Sequence, residues 1–356
     1  MSAPTSAAGP LRAVNVARLL TDTAARLPDR DAVVRGRRRL NWRELDARAS
    51  DVAAELRRRG LGRGDAVLVH SPNHVELVAT MFGIWRAGAV FAPANFRLTP
   101  AEVADLARLT TPAALICHAD YGEHAAAVSD AVALPGGTLW LGAAADTPGA
   151  IAGLPEMSSP ETDAAVWNGD PAWYFFTSGT SGRPKAVVLT HDRLGFVVTN
   201  HICDLMPGLD RDDAQIVVAP LSHGAGIHLL PQVARGAKTV LPTRISLDPA
   251  EIWQLVETER VTNAFTVPTI LTTLTQAPRR HGTTSVRCAT SSTPVRPCTG
   301  PTRNTPAPCS ATCWCSTTGS ARSPATSRSC RPTSTAGRRR RASSSAPAAG
   351  SAPGCR

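Results

Sequence analysis

The sequence predicts an α/β fold: parallel-sheet subdomains covered by helices, followed by a disordered-type tail. Three observations carry this reading. Short apolar runs alternate with helical patterns of about ten residues, first over 66–141 and again over 192–275, and that alternation requires right-handed crossovers and a largely parallel sheet. Two further apolar runs, 173–176 and 186–189, flank a loop of small and hydroxylated residues, as two strands presenting a polar loop would. Beyond residue 283 neither strand nor helix periodicity survives.

Taken in order, residues 1–14 are small and polar and read as a flexible start. Val16, Leu19, Leu20 and Leu27 suit one face of an amphipathic helix over 15–27. Segments 31–35 and 38–40 predict a hairpin around Gly36, and a helix over 42–59 stops at Gly60, a residue suited to the left-handed end of a helix. Then follow a strand at 66–70, a helix at 75–86 ended by Gly88, a strand at 90–94, a helix at 100–109, a strand at 114–117, a helix at 122–132 and a strand at 138–141. Residues 143–170, rich in Ala, Gly, Pro, Asp and Ser, read as a surface linker. After the polar loop come a helix at 192–205, a strand at 215–219, and a helix at 227–234 capped by Gly236. A strand at 238–241, a helix at 249–260 with Asp248 as N-cap, a strand at 262–267 and a helix beginning at 269–275 complete the pattern. The main domain is expected over 15–286.

Composition removes several function classes. No apolar run reaches the 18 residues that a membrane span needs, and the N-terminus lacks the basic-then-apolar order of a secretion signal, so a cytoplasmic protein is expected. The formal charge of +10 suggests nucleic acid until it is located. All 28 acidic residues lie at or before Glu259, whereas 11 of the 38 basic ones lie after Arg280. The region through 280 is therefore near neutral, and no nucleic-acid partner is expected. Cys288, Cys298, Cys309, Cys313, Cys315, Cys330 and Cys355 crowd the tail without a CxxC pair or a nearby histidine, so neither a metal site nor a disulfide framework is expected there. The tail, 287–356, is rich in Ser, Thr, Pro, Arg and Cys and cannot bury enough apolar surface to offset its chain entropy.

The chemistry concentrates in FFTSGTSGRPKAVVLTH, from Phe175 to His191. Gly179 and Gly182 let a phosphate approach backbone N–H groups; Thr177, Ser178, Thr180 and Ser181 add hydroxyl donors, and Lys185 adds a point charge. The spacing departs from a P-loop, which needs Gly-Lys-Ser/Thr where this loop has Arg-Pro-Lys. It resembles instead the phosphate loop of the adenylate-forming (AMP-binding) superfamily of acyl-CoA synthetases, luciferases and peptide-synthetase adenylation domains, with Ser181 and Ala186 at positions usually Thr and Gly. PLSHGAGIH, Pro220 to His228, resembles the family's PLxHxxG segment, and NAFTVPTIL, Asn263 to Leu271, resembles its VPT strand.

The resemblance implies ATP-dependent activation of a fatty or aromatic acid to an acyl-adenylate, then thioester formation with coenzyme A; an adenylation domain of peptide-synthetase type and a non-catalytic phosphate binder are the alternatives. It implies that Thr177 to Gly182 and Lys185 hold the β- and γ-phosphates, with Thr180 nearest the Mg²⁺-bound phosphates. His223 would sit beside the reacting carboxylate, and Gly224 and Gly226 would leave room for the acyl group. His191 and His228 read as structural. The implied cosubstrates are ATP, Mg²⁺, coenzyme A and a small-molecule carboxylic acid.

The tail carries a second reading. Regrouped one nucleotide earlier, Ser320 to Ser327 (SARSPATS) becomes LGEVTGNI, and Ser316 to Gly319 becomes QYYG. The joined YYGLGEVTGN resembles the family's YGxTE motif, with Gly in place of the Thr before the Glu. A frame lost near Val286 is expected, and with it a chain that is incomplete and inactive. As written, no Asp or Glu follows Glu259 and no Lys follows Lys238, so the family's YGxTE glutamate, ribose-binding aspartate and C-terminal lysine have no counterparts.

Overall fold

The computed structural model describes residues 12–156, 161–178 and 184–276, with the backbone of 287–290 and 316–317. These belong to one compact unit. The N-terminal segment holds β1 (Arg12–Ala13), α1 (Arg18–Arg26), and the hairpin of β2 (Asp31–Arg35) and β3 (Arg38–Asn41), turned by Gly36 at φ +58°. In α2 (Trp42–Arg58) the Asn41 side chain accepts from the Glu44 N–H while the Glu44 carboxylate accepts from the Asn41 N–H. That reciprocal cap satisfies two first-turn donors and fixes where the helix begins.

Next come β4 (Ala66–His70), α3 (Val75–Ala87), β5 (Val90–Ala94), α4 (Pro100–Thr110), β6 (Ala114–His118), α5 (Gly122–Ala131) and β7 (Thr138–Leu141). Gly88, at φ +88°, ends α3 in the left-handed conformation. The short β8 (Val166–Trp167) precedes β9 (Pro171–Ser178) and β10 (Pro184–Thr190); α6 (His191–Asn200) then runs into a π-helical turn, His201–Leu205. The remaining elements are β11 (Ala214–Val217), α7 (Gly224–Arg235), β12 (Lys238–Val240), α8 (Pro249–Thr258), β13 (Asn263–Thr266), α9 (Pro268–Gln276), β14 (Arg287–Thr290) and β15 (Ser316–Thr317).

Two sheets organise them. One has the order β10-β9-β5-β4-β6-β7 and is parallel except for β10; the other has the order β15-β14-β13-β11-β12-β2-β3 and is parallel except for β3. The predicted α/β class and crossovers are therefore present. The main core gathers Trp42, Phe82, Trp85, Phe91 and Trp173, all fully buried. Within it α3 crosses α2 closely: a Cβ on Gly83 would lie 2.7 Å from Val52 Cβ and 2.8 Å from the Ala49 carbonyl oxygen.

Three expectations need correction or limits. Residues 143–170 are not a free surface linker. Ile151 and Val166 are buried, β8 pairs with β1, and Asp163 binds the buried guanidinium of Arg86 at 3.1 Å. A buried cation needs anions and acceptors, and Asp46, Ser50 and Thr21 supply the others, a demand that composition does not reveal. The helix expected from 227 begins at Gly224, because packing outweighs the poor helix propensity of glycine there. Two short strands, β14 and β15, lie inside the segment expected to lack regular structure; the rest of the tail and residues 1–11 lie outside the described residues.

Candidate active site

The polar loop sits at the tip of the β9–β10 hairpin. Antiparallel register places Lys185 opposite Thr177 and Pro184 opposite Ser178. Directly opposed residues have Cβ atoms about 5 Å apart, so Thr177 and Lys185, both exposed, form the mouth of the loop. Gly179, Thr180, Ser181, Gly182 and Arg183 lie outside the described residues, as does the Ser178 side chain.

Side chains two apart on a strand share a face, so Phe175 lies on the Thr177 side of β9. Its ring stands 5.5 Å from the His223 imidazole, tilted by 56°. The hairpin that carries the loop therefore also touches the histidine of the second motif. His223 is the N-cap residue of α7 and closes a turn by donating its N–H to the Pro220 carbonyl at 3.1 Å. Its Nδ1 lies 3.0 Å from Ser222 Oγ, and burial lowers its pKa below the usual histidine value, which favours the neutral ring.

Asn73, just beyond β4, fixes this turn from the other sheet: its Nδ2 donates to the Ala219 carbonyl at 2.9 Å and its Oδ1 accepts from the Leu221 N–H at 2.9 Å. Nothing in the sequence singles out Asn73, since its partners lie about 150 positions away.

Gly224 and Gly226 are fixed by packing. A Cβ on Gly224 would lie 2.3 Å from Phe265 Cζ, and one on Gly226 would lie 2.0 Å from the Leu221 carbonyl oxygen and 2.6 Å from the Trp173 ring. Phe265 and Trp173 thus form walls at the start of α7, another feature that sequence reading missed. His191 accepts the Val16 N–H at 3.2 Å, whereas His228 is bonded to Asn263 inside the protein at 3.1 Å.

A separate cleft of about 800 Å³ is lined by Phe96, Arg97, Arg244, Ile245, Ser246 and Leu247. These residues follow β5 and β12 and so gather at the carboxyl ends of parallel strands, where α/β sheets bind ligands. Among the described residues no three His, Cys, Asp or Glu side chains come together to hold a metal, and no helix is long and apolar enough to cross a membrane.

Comparison with known proteins bears on this arrangement. Feruloyl-CoA synthase of Amycolatopsis sp. is 35% identical over 254 residues, which are 71% of this chain and 48% of that protein. The long-chain-fatty-acid–CoA ligase FadD13 of Mycobacterium tuberculosis (strain CDC 1551 / Oshkosh) is 28% identical over 246 residues, 67% of this chain and 46% of that one. The chain thus spans about half the length of these relatives. The crystal structure of the N-terminal domain of FACL13 from Mycobacterium tuberculosis shares the fold, with a TM-score of 0.68 at 22% identity, covering 80% of this chain and 71% of that one. The family described as AMP-binding enzyme matches residues 20–331, most of the chain and both motifs of the site, so this protein belongs to that family.

Proposed function

We propose that the intact form of this protein joins a small carboxylic acid to coenzyme A through an acyl-adenylate. The observation that carries this is the contact of Phe175 with His223, which sets the imidazole on the strand face that ends in Thr177 opposite Lys185. In the first step a carboxylate oxygen bonds to the α-phosphorus of ATP while the bond from that phosphorus to the bridging oxygen breaks, releasing pyrophosphate. In the second, the coenzyme A thiol loses its proton and attacks the acyl carbon, and AMP leaves.

The chain's residues have distinct tasks in this reading. Thr177, Ser178, Gly179, Thr180, Ser181, Gly182 and Lys185 hold the departing phosphates, where negative charge builds as the bond breaks. Thr180 is the residue that would lie nearest the Mg²⁺-bound phosphates, and the ion would supply positive charge against the departing phosphates. Neutral His223 orients the carboxylate next to the first turn of α7, whose N–H groups lack intrahelical partners and favour an anion. Gly224 and Gly226 let Phe265 and Trp173 close on the start of α7, and the acyl group would lie against those walls. An aromatic acid is favoured by this aromatic lining and by the feruloyl-CoA synthase relative.

We further propose that the reading frame shifts near Val286, so that the chain as written is inactive. The reading rests on the abrupt loss of Asp, Glu and Lys and on the motif that regrouping restores. Sequencing the gene across codons 280–300 tests it, and an unbroken frame overturns it.

The activity is tested by ATP–pyrophosphate exchange with a panel of acids, using the protein made from the restored frame. Lys185→Ala is expected to lower exchange about 100-fold while acid binding stays nearly unchanged, because the charge acts where phosphate charge builds. Exchange at the unsubstituted rate would remove Lys185 from the site.

A further inference from the structure

One side chain ties the two sheets together at their carboxyl ends. Asn73 stands three residues beyond β4, and its partners Ala219 and Leu221 lie just beyond β11. It is delivered on a stiff link, because Pro72 fixes its own φ and restricts Ser71 to extended backbone, and His74 then caps α3. The Asn73 amide meets two backbone groups whose roles are fixed. The Ala219 carbonyl only accepts and the Leu221 N–H only donates, so Nδ2 faces the first and Oδ1 the second, each at 2.9 Å. The two bonds bracket Pro220, whose carbonyl accepts the His223 N–H at 3.1 Å.

The consequence lies in what each sheet carries. β4 is joined through β5 to β9, and so to the hairpin that presents Thr177 and Lys185. His223 belongs to the other sheet, on the connection from β11 to α7. Apolar contacts join the two sides: the Phe175 ring stands 5.5 Å from the imidazole, and Trp173 packs on Gly226. Such contacts resist separation but are non-directional, whereas the paired bonds of Asn73 fix both distance and angle. Leu221 is fully buried, so loss of Oδ1 leaves its N–H unpaired away from water and drives the turn to shift.

We propose that Asn73 is a positioning residue of the acid-activating site, holding His223 in register with Thr177 and Lys185 so that a carboxylate oxygen can meet the α-phosphorus. This rests on the carboxylate-orienting role given to His223. Asn73 acts through the Pro220–His223 turn rather than on a substrate, so it governs alignment more than affinity. Reacting groups displaced by about 1 Å can lose about 100-fold in rate.

The test uses Asn73→Ala and Asn73→Leu, the second filling much the same space without either hydrogen bond. Histidine-ring NMR on the full chain as written needs no turnover. Each variant should move or broaden the His223 signal, identified by its loss in His223→Gln, and leave those of His191 and His228 in place. Pyrophosphate exchange in the protein made with its frame restored then reads alignment, at temperatures where melts show every protein folded. There kcat should fall about 10- to 100-fold in both variants while KM for the acid and for ATP changes less than about threefold. Either variant suffices, so the test survives the failure of one to fold. An unmoved His223 signal overturns the proposal, as does a kcat kept by Asn73→Leu, which would assign the residue to packing, or a loss confined to KM. Each of these leaves the activation of an acid standing. Absence of exchange from the unsubstituted restored protein with every acid overturns that activity and the role of Asn73 in it.

Discussion

At the scale of single residues, the histidines set how the fold responds to acid. His70, at the end of β4, is 0% exposed, and neither ring nitrogen has a hydrogen-bond partner. It stacks on His124 of α5 at 4.5 Å with Tyr121 edge-on at 4.9 Å, while Cys117 shares the apolar cluster and His74 and His118 lie nearby. Burial first, then the neighbouring His124, pushes its pKa down to about 3. His191 and His228 are held near 4 by burial. In each case the folded value lies below the ordinary histidine value of about 6.5, so the unfolded chain takes up protons first. Stability is then fully present above about pH 6.5 and is lost as pH falls toward the folded values. His70→Phe keeps the stacked shape and removes two unpaired polar atoms. It should raise stability by about 1–3 kcal/mol near neutral pH and flatten the loss between pH 6.5 and 4, read from urea melts across that range. An unchanged pH slope would show that His70 does not carry this effect.

At the scale of elements, α7 links the two motifs and tolerates little change at its start. Pro231 lies inside it, removing one intrahelical bond, yet the helix persists because eight of its residues, Pro231 among them, are buried. Its first turn is pressed against the Leu221 carbonyl, so Gly226→Ala forces backbone rather than a flexible side chain to move. Overpacking of this kind costs about 1–3 kcal/mol, and the shift falls on the turn that Asn73 holds. Thermal melts should show that loss, and acid binding should weaken with it. Full stability in Gly226→Ala would mean that the turn relaxes more freely than this packing allows.

At the scale of the whole molecule, charge and coverage are unevenly distributed. Excess basic charge falls beyond Arg280, and the chain spans about half of its relatives' length. β10 is the outer strand of its sheet, with Val187 and Val188 exposed on it, an apolar edge open to association. AMP release should be measured with ATP, Mg²⁺, coenzyme A and mixed fatty and aromatic acids, for this chain and for the protein made with its frame restored to the native stop. Activity is expected only in the restored protein, because the chain as written has no Asp or Glu after Glu259 and no Lys after Lys238 to take the roles that the resemblance implies. Comparable release by the chain as written would overturn the frame proposal and its account of the tail.

What the sequence determined by itself was local. Period-2 and helical runs placed Ala66–His70, Val90–Ala94 and Thr138–Leu141 at the bounds the structure gives, and Gly36, Gly60, Gly88 and Gly236 marked turns that need positive φ. The phosphate-loop string was equally legible, because its chemistry lies in consecutive residues. Tertiary structure alone decided how distant segments meet. Phe175 found His223, Asn73 found Leu221, and Asp163 found Arg86 through contacts spanning 48, 148 and 77 positions. Phe265 on Gly224 and the unpartnered Nδ1 of His228 belong to the same class. Periodicity tells which face of an element is buried; it carries no information about which other element covers that face, or about which buried nitrogen goes without a partner.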